Sequence, residues 1–293
     1  MTIEMYALVL AHPNDTTALQ IYQGLKARRK DKQVRLVSAE ELILAPRWIH
    51  RQGEGWTTTE IHLRDGSIIQ SEDLCIILNR LCSVDMPHFR GASSTDHNYA
   101  VAEMLALLLS WLASLPCPVI NPVSHSGLSY PQHTHAEWLY LAGQAGLPTI
   151  GYHFTTNALH FPDKDYRAYP CLAQSLHQNT QPGPSSLFLK ENRPILYLEP
   201  TSEGQQRVLV IGQQSVGQLA ELFQPELCQL AQLASCNLLE VTFARTANSN
   251  DHDNTNGWKV YTVNPFPEVR STQELQHIVT FLETQIISNV EMK

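Results

Sequence analysis

Residues 74–78 read Leu-Cys-Ile-Ile-Leu, with no polar side chain among them. A strand that is apolar on both faces must be buried on both faces, the situation of a central strand in a parallel sheet covered by helices. The surrounding sequence supplies the rest of such a sheet. Residues 6–10 form a short apolar run, followed by His12-Pro13-Asn14-Asp15, a turn carrying helix-capping residues. Helical spacing follows over 16–28, with Leu19, Tyr22 and Leu25 expected on one face, and 34–37 is a second strand. Residues 56–63 and 67–69 flank Asp65-Gly66, a hairpin signal. Ser93, Ser94, Thr95 and Asp96 offer N-caps for a long helix reaching about Leu115, Asp96 being the simplest cap, and 118–120 returns as a strand. Strands joined by helices predict an open, doubly wound, Rossmann-like sheet over residues 1–122.

The bulk properties agree with a globular α/β chain. With 293 residues, 43% hydrophobic and 16% charged, the chain can bury a core without staples. The net charge of −8 gives no long-range attraction to nucleic acid or to acidic membranes. Six cysteines include no C-x-x-C pair and sit mostly in apolar runs, as small buried hydrophobes do. The first residues lack the basic segment of a secretory signal, and the apolar stretch 100–115 is broken by Glu103, Ser110 and Ser114 and too short for a bilayer. A cytoplasmic protein is expected.

The remaining chain alternates order and irregularity. Residues 132–142 have helical spacing, with Trp138, Leu139 and Leu141 for packing. The stretch 157–186, carrying Pro162, Pro170, Pro182 and Pro184, reads as loop or a reduced subdomain. Strands are expected at 194–199, 206–211, 238–244 and 258–263, the last two separated by a polar loop. Pro225 opens a helix to Ala234, and Ser271 with Glu274 forms a capping box for a closing helix to about Ile287. Neither G-x-S-x-G nor G-x-G-x-x-G occurs, so hydrolase and dinucleotide-binding functions have no support.

Four segments in order carry a resemblance. Ala145-Gly146-Leu147-Pro148-Thr149 resembles the pattern "AGLPTP", and Gln206-Arg207-Val208-Leu209-Val210-Ile211-Gly212 resembles "RVxVVG". Leu238-Leu239-Glu240-Val241-Thr242-Phe243 resembles "LxGVDF", and the segment from Trp258 through Thr262, Val263, Asn264 and Pro265 to Pro267 resembles "WxVLEVNPxP". Together they resemble the ATP-grasp superfamily, in the branch of glutathione synthetases and ribosomal-protein glutamate ligases. The resemblance implies an N-terminal open Rossmann-like (pre-ATP-grasp) sheet over 1–122, followed by a reduced ATP-grasp-like α+β part. The latter divides into a small lobe or linker over 123–186 and a C-terminal subdomain over 187–293.

It also implies a set of site residues, and this sequence departs from them. In the family, magnesium is held by the Asp of "VDF" and the Glu and Asn of "EVN". Here those positions are Thr242, Thr262 and Asn264, so Asn264 alone remains as a vestigial metal position. Glu240, two residues before Thr242, shares its strand face and is either a substitute carboxylate for metal or catalysis or a salt-bridged strand residue. Arg207 matches the family's substrate- or phosphate-side arginine, or else pairs with Glu199 or Glu203. Lys190 is the nearest match to the nucleotide-binding lysine, against a solvated charge before Pro194, and no glycine-rich loop follows it.

Further candidates come from position. Asn79 and Arg80 follow the apolar strand at its carboxyl end, where open α/β sheets bind ligands. Arg80 is therefore placed to grip a substrate carboxylate or peptide terminus, or to tie down the loop that follows. Asp96, Tyr99 and Glu103 lie at the start of the next helix, near the same crevice. His125, His133 and His135 resemble a metal cluster but lack zinc-site spacing, Asp251-His252-Asp253 reads as solvated, and Cys82 as an ordinary thiol.

Three functions follow as expectations. The first is a catalytically degenerate ATP-grasp protein, a pseudoenzyme without nucleotide or metal cofactor that binds a peptide or a protein partner, including an active ATP-grasp paralogue. The second is an active ATP-dependent carboxylate–amine or carboxylate–thiol ligase, using ATP and magnesium, with Arg207, Glu240 and Asn264 as its core. The third is a structural assembly subunit, a homo-oligomer joined through the apolar helix 100–115.

Overall fold

The computed structural model describes residues 5–29, 33–124, 127–129, 133–155, 167–170, 195–246 and 257–291. Its elements begin with β1 (Tyr6–Ala11), α1 (Thr16–Arg28), β2 (Val34–Ser38), α2 (Ala39–Ile43), β3 (Arg47–Gly53), β4 (Trp56–His62), β5 (Ile68–Gln70), β6 (Leu74–Asn79), α3 (Ser94–Ala113) and β7 (Val119–Ile120). They continue with α4 (His135–Gln144), β8 (Tyr152–Thr155), β9 (Arg167–Pro170), β10 (Ile195–Leu198), β11 (Thr201–Ile211), β12 (Gln214–Val216), α5 (Ala220–Leu233), β13 (Leu238–Thr246), β14 (Trp258–Asn264) and α6 (Thr272–Glu291). Two compact units result. One comprises Met1–Pro131 with Glu268–Lys293, the other Gln132–Pro267.

The first unit is built on a parallel sheet in the order β2-β1-β6-β7. Every residue of β1 and β6 is buried, as the uniformly apolar sequence of β6 requires. Helix α1 buries Thr17, Ala18, Ile21 and Leu25, while Leu19 is 45% exposed. The face anticipated through Leu19 is therefore corrected: the small residues Thr17 and Ala18 face the core because they let the helix approach, and large apolar size alone misplaced the stripe. An antiparallel sheet, β3-β4-β5, carries the Asp65-Gly66 hairpin. Its strand β3 is rich in Arg, His and Gln and gave no apolar signal. This sheet meets α3 through an edge-to-face contact of Trp48 with Trp111, and His50 bridges Thr59 and Ser110 at 2.9 Å each. The cap of α3 is Ser93, whose Oγ accepts from the Asp96 N–H at 3.1 Å; Asp96 in turn accepts from the serine hydroxyl.

Helix α6 packs against α1 in this unit. Arg28 reaches Glu283 at 2.8 Å and Thr280 at 3.0 Å. Ser271 accepts from the Glu274 N–H, but the Glu274 carboxylate takes the N–H of Arg270, so the closing cap is offset by one residue from a regular box. The two helices are in close contact at Gly24, where a Cβ would lie 2.8 Å from Val279 Cγ2.

In the second unit the main sheet is antiparallel, in the order β12-β11-β13-β14. Segment 148–150 extends it, since Pro148 O accepts from Val260 N at 2.7 Å and Ile150 N donates to Val260 O at 3.1 Å. Helix α4 starts at a capping box of Thr134 and Glu137 and ends at Gly146, whose φ of 88° suits only glycine comfortably. Helix α5 begins five residues before Pro225, not at it. Phe223 leaves helical geometry, which spares Pro225 the clash a proline makes inside a continuous helix, and its ring stacks on Phe243 at 5.0 Å. Strands β8, β10 and β9 form a separate antiparallel sheet.

The approach at Gly24 gives a test. Gly24→Ala is expected to lower stability by about 1–3 kcal/mol through overpacking, despite alanine's better helix propensity. In chemical denaturation, Val279→Ala should cost less in that background than in the native chain; a stabilised Gly24→Ala protein would contradict the close helix contact.

Candidate functional site

The register of the main sheet gathers the residues singled out from sequence. Arg207 lies opposite Thr242, and Leu209 opposite Glu240. On the next strand Thr242 lies opposite Thr262, and Glu240 opposite Asn264. Residues directly opposite share a face, so Arg207, Glu240, Thr242, Thr262 and Asn264 all project from one side of β11-β13-β14. The other side carries Val208, Val210, Leu239, Val241, Phe243 and Val263, all buried, with Phe223 of α5 against Phe243. Apolar packing under the helix thus forces the polar set outward.

A bulge interrupts the β13–β14 pairing: Thr242 faces Thr262 but Phe243 faces Val260, leaving Tyr261 as the extra residue. The freed Tyr261 carbonyl accepts from His135 Nε2–H at 2.6 Å. Burial holds the His135 pKa below its usual value, so the ring is a neutral donor that fixes the start of α4 to the bulge.

Glu240 is spent on Arg207. Arg207 Nε stands 2.8 Å from Glu240 Oε2, with the two side chains only 14% and 8% exposed. The pairing is diagonal across the strands. Of the two partners anticipated for Arg207, Glu199 instead faces Lys259 at 3.5 Å and accepts from the Gly151 N–H at 3.0 Å, and the Glu203 side chain lies outside the described residues. Asn264 folds back on its own turn, Oδ1 accepting from Phe266 N at 2.9 Å and Nδ2 donating to Phe266 O at 3.1 Å. What remains at the matched metal positions is a pair of neutral hydroxyls, Thr242 and Thr262. Mg²⁺ needs hard anionic oxygen in near-octahedral array, and a guanidinium beside the nearest carboxylate opposes it. The described residues of this face do not fit that ion.

In the first unit Asn79 and Arg80 make hydrogen bonds within the chain. Asn79 is fully buried, its Nδ2 donating to the carbonyls of Leu128 at 2.6 Å and Asn121 at 3.3 Å, its Oδ1 accepting from Leu81 N. Arg80 clamps Asp15, Nε to Oδ2 at 2.6 Å and a second nitrogen to Oδ1 at 3.3 Å, while Asp15 Oδ1 also caps α1 through Ala18 N. The clamp ties the carboxyl end of β6 to the start of α1. Cys82 N donates to His12 Nε2 at 3.2 Å, and burial raises the Cys82 thiol pKa, the behaviour of an unreactive thiol. Asp96, Tyr99 and Glu103 are exposed, with Tyr99 at 67%. Lys190, His125 and Asp251–Asp253 lie outside the described residues. Among the described residues, no group of three or more His, Cys, Asp or Glu side chains is placed to hold a metal.

The sequence suggested a salt bridge for Glu240 and another for Arg207 without joining the two, and gave no sign of the Asp15–Arg80 pair. Asp15 was legible as a cap but not as the partner of a residue 65 positions away. For Arg207, a signal did exist: aligning the two motif strands antiparallel brings it diagonal to Glu240. Breaking this largely buried pair from one side should be costly. Arg207→Met is expected to destabilise by about 3 kcal/mol, with much of that recovered in Arg207→Met/Glu240→Leu, measured by denaturant unfolding. A single variant within experimental error of the native chain would mean that the pair is solvated.

No family model matches the chain, and no curated protein does. Solved structures do match. The macrocyclase MdnC from Microcystis aeruginosa MRC, bound with precursor peptide MdnA, superposes with a TM-score of 0.75 at 14% identity, over 95% of this chain and 99% of that one. The ATP-grasp ligase PsnB, complexed with a phosphomimetic variant of its minimal precursor, Mg and ADP, gives 0.69 at 15% identity over 98% and 99%. A RimK domain ATP-grasp protein from Sphaerobacter thermophilus DSM 20745 gives 0.55 at 13% identity over 96% and 99%. At such identities the likeness speaks for architecture, and it agrees with the ordered motifs. This chain has the ATP-grasp fold.

Proposed function

We propose that this chain is a peptide-binding protein built on the ATP-grasp fold in which nucleotide-driven ligation has been lost, acting as an accessory to an active ligase. The carrying observation is the pair Thr242 and Thr262, set opposite one another where two carboxylates would face a cation, beside a Glu240 already neutralised by Arg207. Phosphoryl transfer depends on charge compensation at the phosphates, and hydroxyls do not supply it.

A peptide as partner is supported by two of the similar structures, MdnC bound with precursor peptide MdnA and PsnB complexed with a variant of its minimal precursor. Accessory work also needs a contact surface, and α3 offers one. Of its 20 residues only Leu108, Trp111 and Leu112 are buried; Met104 and Leu105 pack partly against the core, Val101 is half-buried and Tyr99 is exposed, so the half preceding Leu108 keeps some accessible apolar surface. The same surface suits a second copy of the chain. No helix among the described residues is long and apolar enough to cross a membrane, which is compatible with work in the cytoplasm.

Calorimetric titration with ATP, with and without magnesium and with ADP as control, tests the reading. No magnesium-dependent binding is expected. Micromolar, magnesium-dependent ATP binding would overturn it in favour of a ligase whose metal is held by other carboxylates.

A further inference from the structure

We propose that the first unit carries a pocket for an alkylammonium group, the stem and head of a lysine side chain or of a small aliphatic amine. It lies at the carboxyl ends of β1, β2 and β6. In the order β2-β1-β6-β7 the connection leaving β1 runs to β2 on one side and the connection leaving β6 runs to β7 on the other. Where connections part in this way, the ends of a parallel sheet keep a crevice that no helix fills. A cavity of about 160 Å³ opens there. At ~30 Å³ per water it holds about five, the scale of one side chain rather than of a cofactor.

Its walls set the chemistry. Pro13, Ala39, Ile43 and Pro87 give an apolar lining suited to a methylene stem. Four polar residues complete it: His12, Glu40, Asp85 and Arg90. His12 Nε2 accepts the Cys82 N–H, so that nitrogen carries no proton and the ring is neutral. Asp85 is answered by Arg90 at 3.1 Å. Glu40 is exposed and has no ion-pair partner among the described residues. The balance is one uncompensated negative charge at the mouth of an apolar slot. An aliphatic cation satisfies both features, whereas a carboxylate meets Glu40 and a neutral alcohol leaves it unanswered. All of these residues belong to the first unit, so the proposal stands whether or not the second unit binds ATP.

The test is a ¹⁵N-correlation NMR titration of the full chain at constant ionic strength. The probes are n-butylammonium chloride, n-butanol, sodium butyrate and Nα-acetyl-lysine N-methylamide. Saturable shifts at Glu40, Ile43 and Asp85 are expected with butylammonium and not with butanol or butyrate. Glu40→Gln, a substitution at an exposed position, should raise the butylammonium Kd at least tenfold while leaving the rest of the spectrum in place. Binding of the capped lysine identifies a peptide side chain as the source; binding of butylammonium without it identifies a free amine. Equal shifts with butanol, an unchanged Kd in Glu40→Gln, or no saturable shift with butylammonium would overturn the proposal.

Discussion

Once two strands are paired, the neighbours of every side chain are set, and a shift of one residue would turn each to the opposite face. The apolar residues Val208, Val210, Val241 and Phe243 must face α5, and this fixes β11 against β13. Everything on the opposite side then follows. Thr242 has Arg207 on one flank and Thr262 on the other, and Glu240 lies within reach of Arg207. The chemistry available to this face is thus decided by packing on its reverse. The buried Glu240 carboxylate and the Arg207 guanidinium compensate each other's charge, and drawing the carboxylate to a cation would remove that compensation from a poorly solvated arginine.

The first unit shows the same economy. Asp15 ends the turn after β1, and one carboxylate both caps α1 and receives Arg80 from the end of β6. A planar guanidinium suits this bidentate task, where the point charge of lysine does not. Close by, the backbone of Cys82 binds His12, so the loop leaving β6 is tied to the loop leaving β1 at two points. These ties shape the crevice at the sheet's carboxyl end and leave Glu40 at its mouth.

Much of the fold was legible because its elements carry local signals. The apolar run of β6, the Asp65-Gly66 turn and the ordered segments around Arg207, Glu240 and Thr262 were each readable alone, and the ATP-grasp architecture followed from their order. Elements whose signal is tertiary were missed. Strand β3 is polar because it lies at the edge of its sheet, and its anchor is Trp48 against a tryptophan far along the chain. The buried face of α1 turns on Thr17 and Ala18, which no hydrophobicity pattern selects. For the site, the missing carboxylates at positions 242 and 262 were plain in the sequence. The pairing of Arg207 with Glu240 was not, because it depends on register rather than on proximity in the chain.

The face bearing Thr242 and Thr262 presents two hydroxyls opposite one another, a donor set without the anionic charge that a divalent cation requires. Manganese electron paramagnetic resonance tests it directly, comparing the native chain with Thr242→Asp/Thr262→Glu. The native protein is expected to leave the free Mn²⁺ signal undiminished, and the double variant to deplete it in a saturable way. Saturable Mn²⁺ uptake by the native protein, lost on Glu240→Gln, would instead show that this face holds a cation through Glu240.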